Sequence, residues 1–184
     1  MWGFMRLRPP LSEHTEAEAE LLRRHAQGAR CAVELGVAEG TSARELRQVI
    51  DGHGTLYLVD PHRSRLGLSF AGRIARRLVR RIKRGRVVWL RRFSHEAVQG
   101  WQEPIDFLFI DADHSYEGVS RDWREWAPHV APGGHVALHD AQLVEGWTTP
   151  ETGPVRLVAE LRDDPGWEQR DAADTMVVLR RWPG

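Results

Sequence analysis

The chain has 184 residues, 41% hydrophobic and 28% charged, with 26 basic and 26 acidic side chains and therefore no formal net charge. That length holds one domain with a sizeable core and is short for two. The balanced charge sets up no bulk field toward nucleic acid or membrane, and a single cysteine, Cys31, excludes an internal disulfide framework.

In chain order, the partly apolar residues 1–5 run at once into Arg6, Arg8, Pro9 and Pro10. This is too short for a signal core or a membrane span, so the expected location is cytoplasmic. A first helix is predicted over 13–25, a strand over 31–35 and a second helix over 42–50. The Ser42-x-x-Glu45 spacing reads as a capping box at that second helix start. A strand over 55–60, a helix over 72–84, a strand over 86–90 and a helix over 94–101 follow. Then come a strand over 105–111 and a helix over 116–126, in which Tyr116, Val119, Trp123 and Trp126 share one face and read as core. After the turn residues Pro132, Gly133 and Gly134, a strand is predicted over 135–139, then a helix over 154–162. The last pair, 167–169 and 175–179, is separated by five residues, which fits an antiparallel hairpin. Alternating strands and helices of this kind predict an α/β fold. The expected sheet is seven-stranded and mostly parallel, with helices on both faces and a C-terminal antiparallel hairpin. One domain over 1–184 is expected: an N-terminal helical extension (1–28), a cofactor-binding core (29–140) and a C-terminal loop, helix and hairpin (141–184).

Open parallel sheets bind ligands outside the carboxyl ends of their strands, so the residues there carry the chemistry. The five parallel strands end in "ELGVAEGTSA", "DPH", "RRFSHEA", "IDADHSYEG" and "LHDA", each acidic, small or histidine-bearing. The first loop lacks the Gly-x-Gly-x-x-Gly frame that closes on a pyrophosphate, reading Gly36, Ala38 and Thr41 instead. Glu39 would repel a phosphate there. The loop suits a ligand bearing an ammonium and a sulfonium, as S-adenosylmethionine (SAM) does. Asp60 stands where an acid takes ribose hydroxyls. The bland alternative is a tight turn beside a strand-end aspartate.

The ordered set "VELGVAEGTSA", "LYLVDPH", "FSHEA", "IDFLFIDADHSYEGV" and "PHVAPGGHVALHD" resembles a class I SAM-dependent methyltransferase of the Rossmann-like type. It is most similar to small bacterial O-methyltransferases related to the catechol O-methyltransferase and cephalosporin-hydroxylase-like groups, over roughly residues 30–140. The resemblance implies that Glu34, Gly36, Gly40 and Ser42 line the methionine end of SAM, that Asp60 holds the ribose, and that Ser94 and His95 lie near the adenine. Asp111 would serve both cofactor and chemistry. The resemblance also implies a divalent metal, magnesium or manganese, on Asp111, His139 and Asp140. His139 departs from the acid that relatives carry and makes the set less suited to magnesium. A hydrogen-bonded strand-end network without metal is the alternative. His114 occupies the place of a catalytic lysine in catechol-type relatives, and His114 or His139 is the expected general base.

Residues 72–92 carry no acid, and Ile74, Leu78 and Ile82 recur every fourth residue. The helix reads either as a solvated arginine face or as a lip for an anionic acceptor or RNA, and the zero net charge favours the first. The expected activity is methyl transfer to a hydroxyl of a small molecule, a sugar or glycoside among them. The rivals are an RNA methyltransferase using 73–84 and a nonenzymatic nucleoside-binding protein. Few residues precede the first strand, so an open site, or one completed by a second subunit in a homodimer, is expected.

Overall fold

The structure, a computed structural model, describes residues 14–62 and 69–183; residues 1–13, the expected helix start at Glu13 among them, lie outside the described residues. The elements are α1 (Glu16–His25), β1 (Cys31–Leu35), α2 (Thr41–Val49), β2 (Thr55–Val59), α3 (Phe70–Val79), β3 (Arg86–Leu90), α4 (Ser94–Ala97), β4 (Ile105–Ile110), α5 (Tyr116–Trp126), β5 (Val130–Leu138), α6 (Gly153–Leu161), β6 (Trp167–Ala173) and β7 (Met176–Arg181), with a 3₁₀ turn at Ala127–His129. They form one seven-stranded sheet in the order β3-β2-β1-β4-β5-β7-β6. β1 to β5 pair in parallel, and β7 runs antiparallel to both of its neighbours.

Strand alternation fills two cores. Val33, Leu35, Tyr57, Leu108 and Ile110 face α4, α5 and α6, where Val119, Trp123, Trp126 and Leu157 pack on them. Ala32, Leu56, Leu58, Phe107 and Phe109 face α1, α2 and α3, under Leu22, Leu46 and Ala75. This is the in-and-out period of a sheet covered on both faces. The crossovers from β1 run outward to β2 and β3, then back past β1 to β4 and β5, so the switch point lies between the carboxyl ends of β1 and β4.

Four local expectations are corrected. Ser42 and Glu45 make no capping box: α2 begins at Thr41 behind Gly40, whose φ of +81° turns the chain, and the Ser42 hydroxyl instead donates to Glu34 at 2.5 Å. The reciprocal box sits on α1, where Thr15 accepts from the Glu18 amide and Glu18 accepts from the Thr15 amide. α3 stops at Val79 and buries Gly72, Ala75 and Val79, while Ile74 and Leu78 are half-buried beside that face. Small residues are needed where the helix presses on the loops: a Cβ on Gly72 would lie 2.9 Å from the His62 ring. α4 is a single turn, and β5 starts at Val130, with the glycine pair absorbed as an irregularity opposite Ile105 and Phe107. Among the described residues no helix is long and apolar enough to cross a membrane.

Candidate active site

The loop after β1 is wound through Gly36, Ala38 and Gly40, with φ of +84°, +42° and +81°. A Cβ on Gly36 would stand 2.1 Å from the Asp111 carbonyl oxygen, so only glycine lets β1 pass β4 this closely. Asp60, one residue beyond β2, fixes the loop: its Oδ2 accepts from the Val37 and Ala38 amides at 2.9 and 3.1 Å, and its Oδ1 accepts from the His62 amide at 2.6 Å. The buried His62 ring returns to the same loop, with Nε2 3.1 Å from the Ala38 carbonyl. Beneath the loop, Glu34 is fully buried. Its Oε1 takes the Ser42 hydroxyl, and its Oε2 has no hydrogen-bond partner among the described residues. Burial, with the Asp111 and Asp60 charges adding to it and the Ser42 bond opposing, holds its carboxyl well above the usual range.

The ends of β4 and β5 supply a chain of alternating charges. His114 Nε2 lies 3.1 Å from Asp111 Oδ1, and its Nδ1 lies 2.9 Å from Asp140 Oδ2. His139 Nδ1 lies 3.2 Å from the same Asp111 oxygen, and its Nε2 lies 3.6 Å from Glu18 Oε2. Neither ring nitrogen of His139 has the alignment of a hydrogen bond, although both are buried. Burial works against a charge on His139, but Asp111, Glu18 and Asp140 outweigh it and carry its pKa up to about 10. His114 is raised chiefly by Asp111, and Asp111 is lowered by the two imidazoles against its burial. The donor atoms of Asp111, His114 and His139 all lie within 4.8 Å of one another. Asp140 stands behind this trio, on the far nitrogen of His114.

An open cleft of ≈ 550 Å³ runs over these groups, lined by Gly36, Ala38, Asp60, Asp111, Ala112, Asp113 and His114. It continues into a recess of ≈ 40 Å³ that adds His14, Thr41 and Ser42. Of the expected residues, Gly36, Asp60, Asp111 and His114 thus meet at the cleft, Ser42 lines its recess and Glu34 lies beneath, bonded to Ser42. Gly40 borders neither space: a Cβ there would meet Ala75 of α3 at 2.9 Å, which makes the glycine a packing requirement. Ser94 and His95 also stand outside this lining. The Ser94 hydroxyl donates to Asp122, and the His95 ring stacks on Phe93 at 5.5 Å between centroids. The expected capping residue Glu45 is held in ion pairs with Arg23 and Arg44.

Two residues that the strand-end rule misses enter from α1. Glu18 is buried and accepts from the amide and hydroxyl of Thr175, at 2.9 and 2.7 Å, while facing His139. His14 lines the recess, and burial followed by the His139 charge lowers its pKa. The Thr15-x-x-Glu18 spacing was the one readable signal, and it marks a helix start, not a site.

The methyltransferase domain family matches residues 33–141. The chain belongs to that family. An O-methyltransferase from Bacillus cereus, solved with S-adenosylhomocysteine (SAH), is 18% identical, with 94% of this chain and 84% of that one covered and a TM-score of 0.68. The O-methyltransferase of tomaymycin synthesis from Streptomyces achromogenes, solved with SAM, is 18% identical over 93% and 82%, with a TM-score of 0.68. An rRNA methylase from Streptococcus thermophilus is 12% identical over 93% and 99%, with a TM-score of 0.67. At these identities the likeness is one of fold: the class I SAM-dependent methyltransferase fold, with its strand order and its cleft at the β1–β4 switch point. The methyltransferase domain spans the loop, Asp60 and the Asp111–Asp140 cluster, and its activity is SAM-dependent methyl transfer.

Proposed function

We propose that this methyltransferase places SAM along Gly36, Ala38 and Asp60 and moves its methyl group to a hydroxyl of a small molecule, a sugar or glycoside being the favoured class. The observation that carries this is the meeting of a glycine-walled loop, clamped by Asp60, with the Asp111–His114–Asp140 group on one open cleft. The methyl leaves sulfur as the acceptor oxygen attacks from behind; the S–CH₃ bond breaks, the O–CH₃ bond forms, and SAH remains. His114 takes the hydroxyl proton. Nε2 holds the aligned hydrogen bond with Asp111 and Nδ1 faces Asp140, and the two carboxylates stabilise the imidazolium that forms. The protein's larger contribution is alignment of the acceptor behind the methyl.

A divalent cation is a second reading, and it has its own support. Asp111, His114 and His139 offer one carboxylate and two imidazole donors within 4.8 Å, and His139 is buried without an aligned partner. That donor set suits manganese or a later divalent metal better than magnesium. A bound cation would acidify the acceptor hydroxyl. Against it, an imidazolium at His139 already compensates Glu18 and Asp111. A homodimer in the cytoplasm completes the proposal.

Calorimetry with SAM and SAH, followed by turnover with and without EDTA, tests these readings. Binding of either ligand supports the cofactor assignment, and none, with tight NADH binding, sinks it. Loss of turnover in EDTA with recovery on adding manganese assigns the metal, whereas full activity in EDTA leaves the histidine base alone.

A further inference from the structure

A second cleft lies at the other end of the sheet. α5 and the 3₁₀ turn bring Trp123, Arg124 and Pro128 to the amino end of β5. The closing hairpin brings Trp167, at the start of β6, and Arg181, at the end of the antiparallel β7, to the same place. Together they line an open space of ≈ 340 Å³. The nine residues of β5 separate it from His139 and the cleft at the carboxyl ends of the strands. Its two indoles meet at an angle, with ring centroids 4.7 Å apart and planes at 59°. Arg181 is fixed in place: its Nη1 donates to the Pro128 carbonyl at 3.0 Å and also to the Val130 carbonyl. The wall at Gly166 is held too, because its amide donates to Asp164 Oδ1 at 2.8 Å and its carbonyl accepts from the Trp182 amide at 3.0 Å.

The lining combines two tryptophans, two arginines and Pro128, and it holds no carboxylate. Asp164 stays outside it, and among the described residues neither Arg124 nor Arg181 stands in an ion pair. Aromatic walls with a few fixed polar groups are the makeup of small-molecule sites, and the volume lies within their range of roughly 300–1,000 Å³. An indole corner takes a flat ring by edge and face contacts, and a guanidinium takes a carboxylate through paired N–H bonds. Two guanidiniums without carboxylate partners repel a cation and attract a ligand that brings negative charge. We propose that this cleft is a second small-molecule site, built for a free aromatic carboxylate: the ring lies against the Trp123–Trp167 corner and the carboxylate meets Arg124 and Arg181. None of these residues lines the methyl-transfer cleft or its recess, so the site fills independently of SAM.

The test is calorimetry on the intact chain with 2-naphthoate and its uncharged counterpart 2-naphthamide, with and without saturating SAH. 2-Naphthoate is expected to bind at one site, equally well in both conditions, and 2-naphthamide about tenfold or more weakly. Arg124→Gln, a change at an exposed side chain, should weaken 2-naphthoate about threefold or more and leave 2-naphthamide and SAH unchanged. Arg181→Lys keeps the charge but loses the planar fork, and it should weaken 2-naphthoate as well. Because Arg181 also ties the hairpin to the chain before β5, a melting curve accompanies that variant, and Arg124→Gln alone decides if Arg181→Lys has lost its fold. Changing Arg77, Arg80 and Arg81 of the basic face to Gln should leave 2-naphthoate binding intact. Absence of 2-naphthoate binding, equal affinity for the two probes, displacement by SAH, or wild-type affinity in Arg124→Gln overturns the site. So does loss of binding in the Arg77, Arg80 and Arg81 variant, which would assign the probe to the basic face instead.

Discussion

Asp60 spends its carboxylate on three backbone amides, those of Val37, Ala38 and His62, before any ribose is present. Oδ2 accepts two of these bonds, but Oδ1 accepts only from His62 and retains a lone pair, so the same group can shape the loop and accept a ribose hydroxyl. Asp60→Ala should therefore weaken SAM by about tenfold or more, since a hydrogen bond to a charged group is worth roughly 1.5–3 kcal/mol. Calorimetry would show equal affinity if the residue were outside the site. His114 gives a pH signature. Its pKa is raised chiefly by Asp111, so its neutral, basic form becomes available at a higher pH than in an ordinary histidine. Activity should climb with pH through a midpoint above 6.5, and His114→Ala should lose roughly 10²–10⁴ in turnover. A flat profile in wild type, or an unimpaired variant, would remove it as the base.

At the scale of elements, the loop after β1 and the helix α1 carry the site from opposite sides. Gly36→Ala puts a methyl into the Asp111 carbonyl at a left-handed φ. A cost of about 3 kcal/mol or more follows, a drop of roughly 10 °C in Tm, readable by calorimetric melting together with loss of SAM binding. Glu18 couples α1 to the Asp111–His139 cluster. Burial pushes its carboxyl up, but His139, Thr175 and Thr15 prevail and hold it at about 2, below the ordinary 4.5. That contribution to stability is complete above pH 4.5 and fades as pH falls toward 2. His139, raised to about 10, contributes fully below pH 6.5 and fades as pH rises through 10. Urea midpoints should therefore peak between pH 4.5 and 6.5, and Glu18→Gln should flatten both limbs; unchanged limbs would deny the coupling. The strand-end residues Asp60, Asp111 and His114 were legible because a parallel sheet forces them to one edge. Glu18 and His14 were not, because α1 reaches that edge through tertiary packing on β6 and the turn before β7, which no local periodicity encodes. Ser42 misled for a related reason: its hydroxyl found a buried carboxylate from β1 in place of its own helix start.

Over the whole molecule, charge is unevenly shared. Residues 72–92 hold ten of the 26 cations and no acid, which leaves the remainder net acidic. α3 and the edge strand β3 carry this patch, with Arg76 stacked over Trp89 at 4.9 Å. Several arginines nearby have structural tasks, such as Arg47, which donates to the Val79 and Arg84 carbonyls. Changing the exposed Arg77, Arg80 and Arg81 to Gln should leave SAM affinity and turnover within about twofold, as for solvated surface charges. A large loss confined to acceptor affinity would assign the face to an anionic acceptor. The parallel, doubly covered sheet and its closing antiparallel hairpin were legible from the alternation of short β-branched runs with amphipathic stretches, whereas the order of the strands was not, because it is set by which crossover packs on which face.

The grip of Thr175 on Glu18 joins residues 157 positions apart. During synthesis, α1 and the first five strands can leave the ribosome and pair while Glu18 is still without its Thr175 clamp. The clamp between α1 and the sheet then waits for the β6–β7 hairpin. A nascent chain stalled before Thr175 would hold a nearly complete sheet and an unfinished active centre, so acquisition of activity during translation should lag behind acquisition of protease resistance.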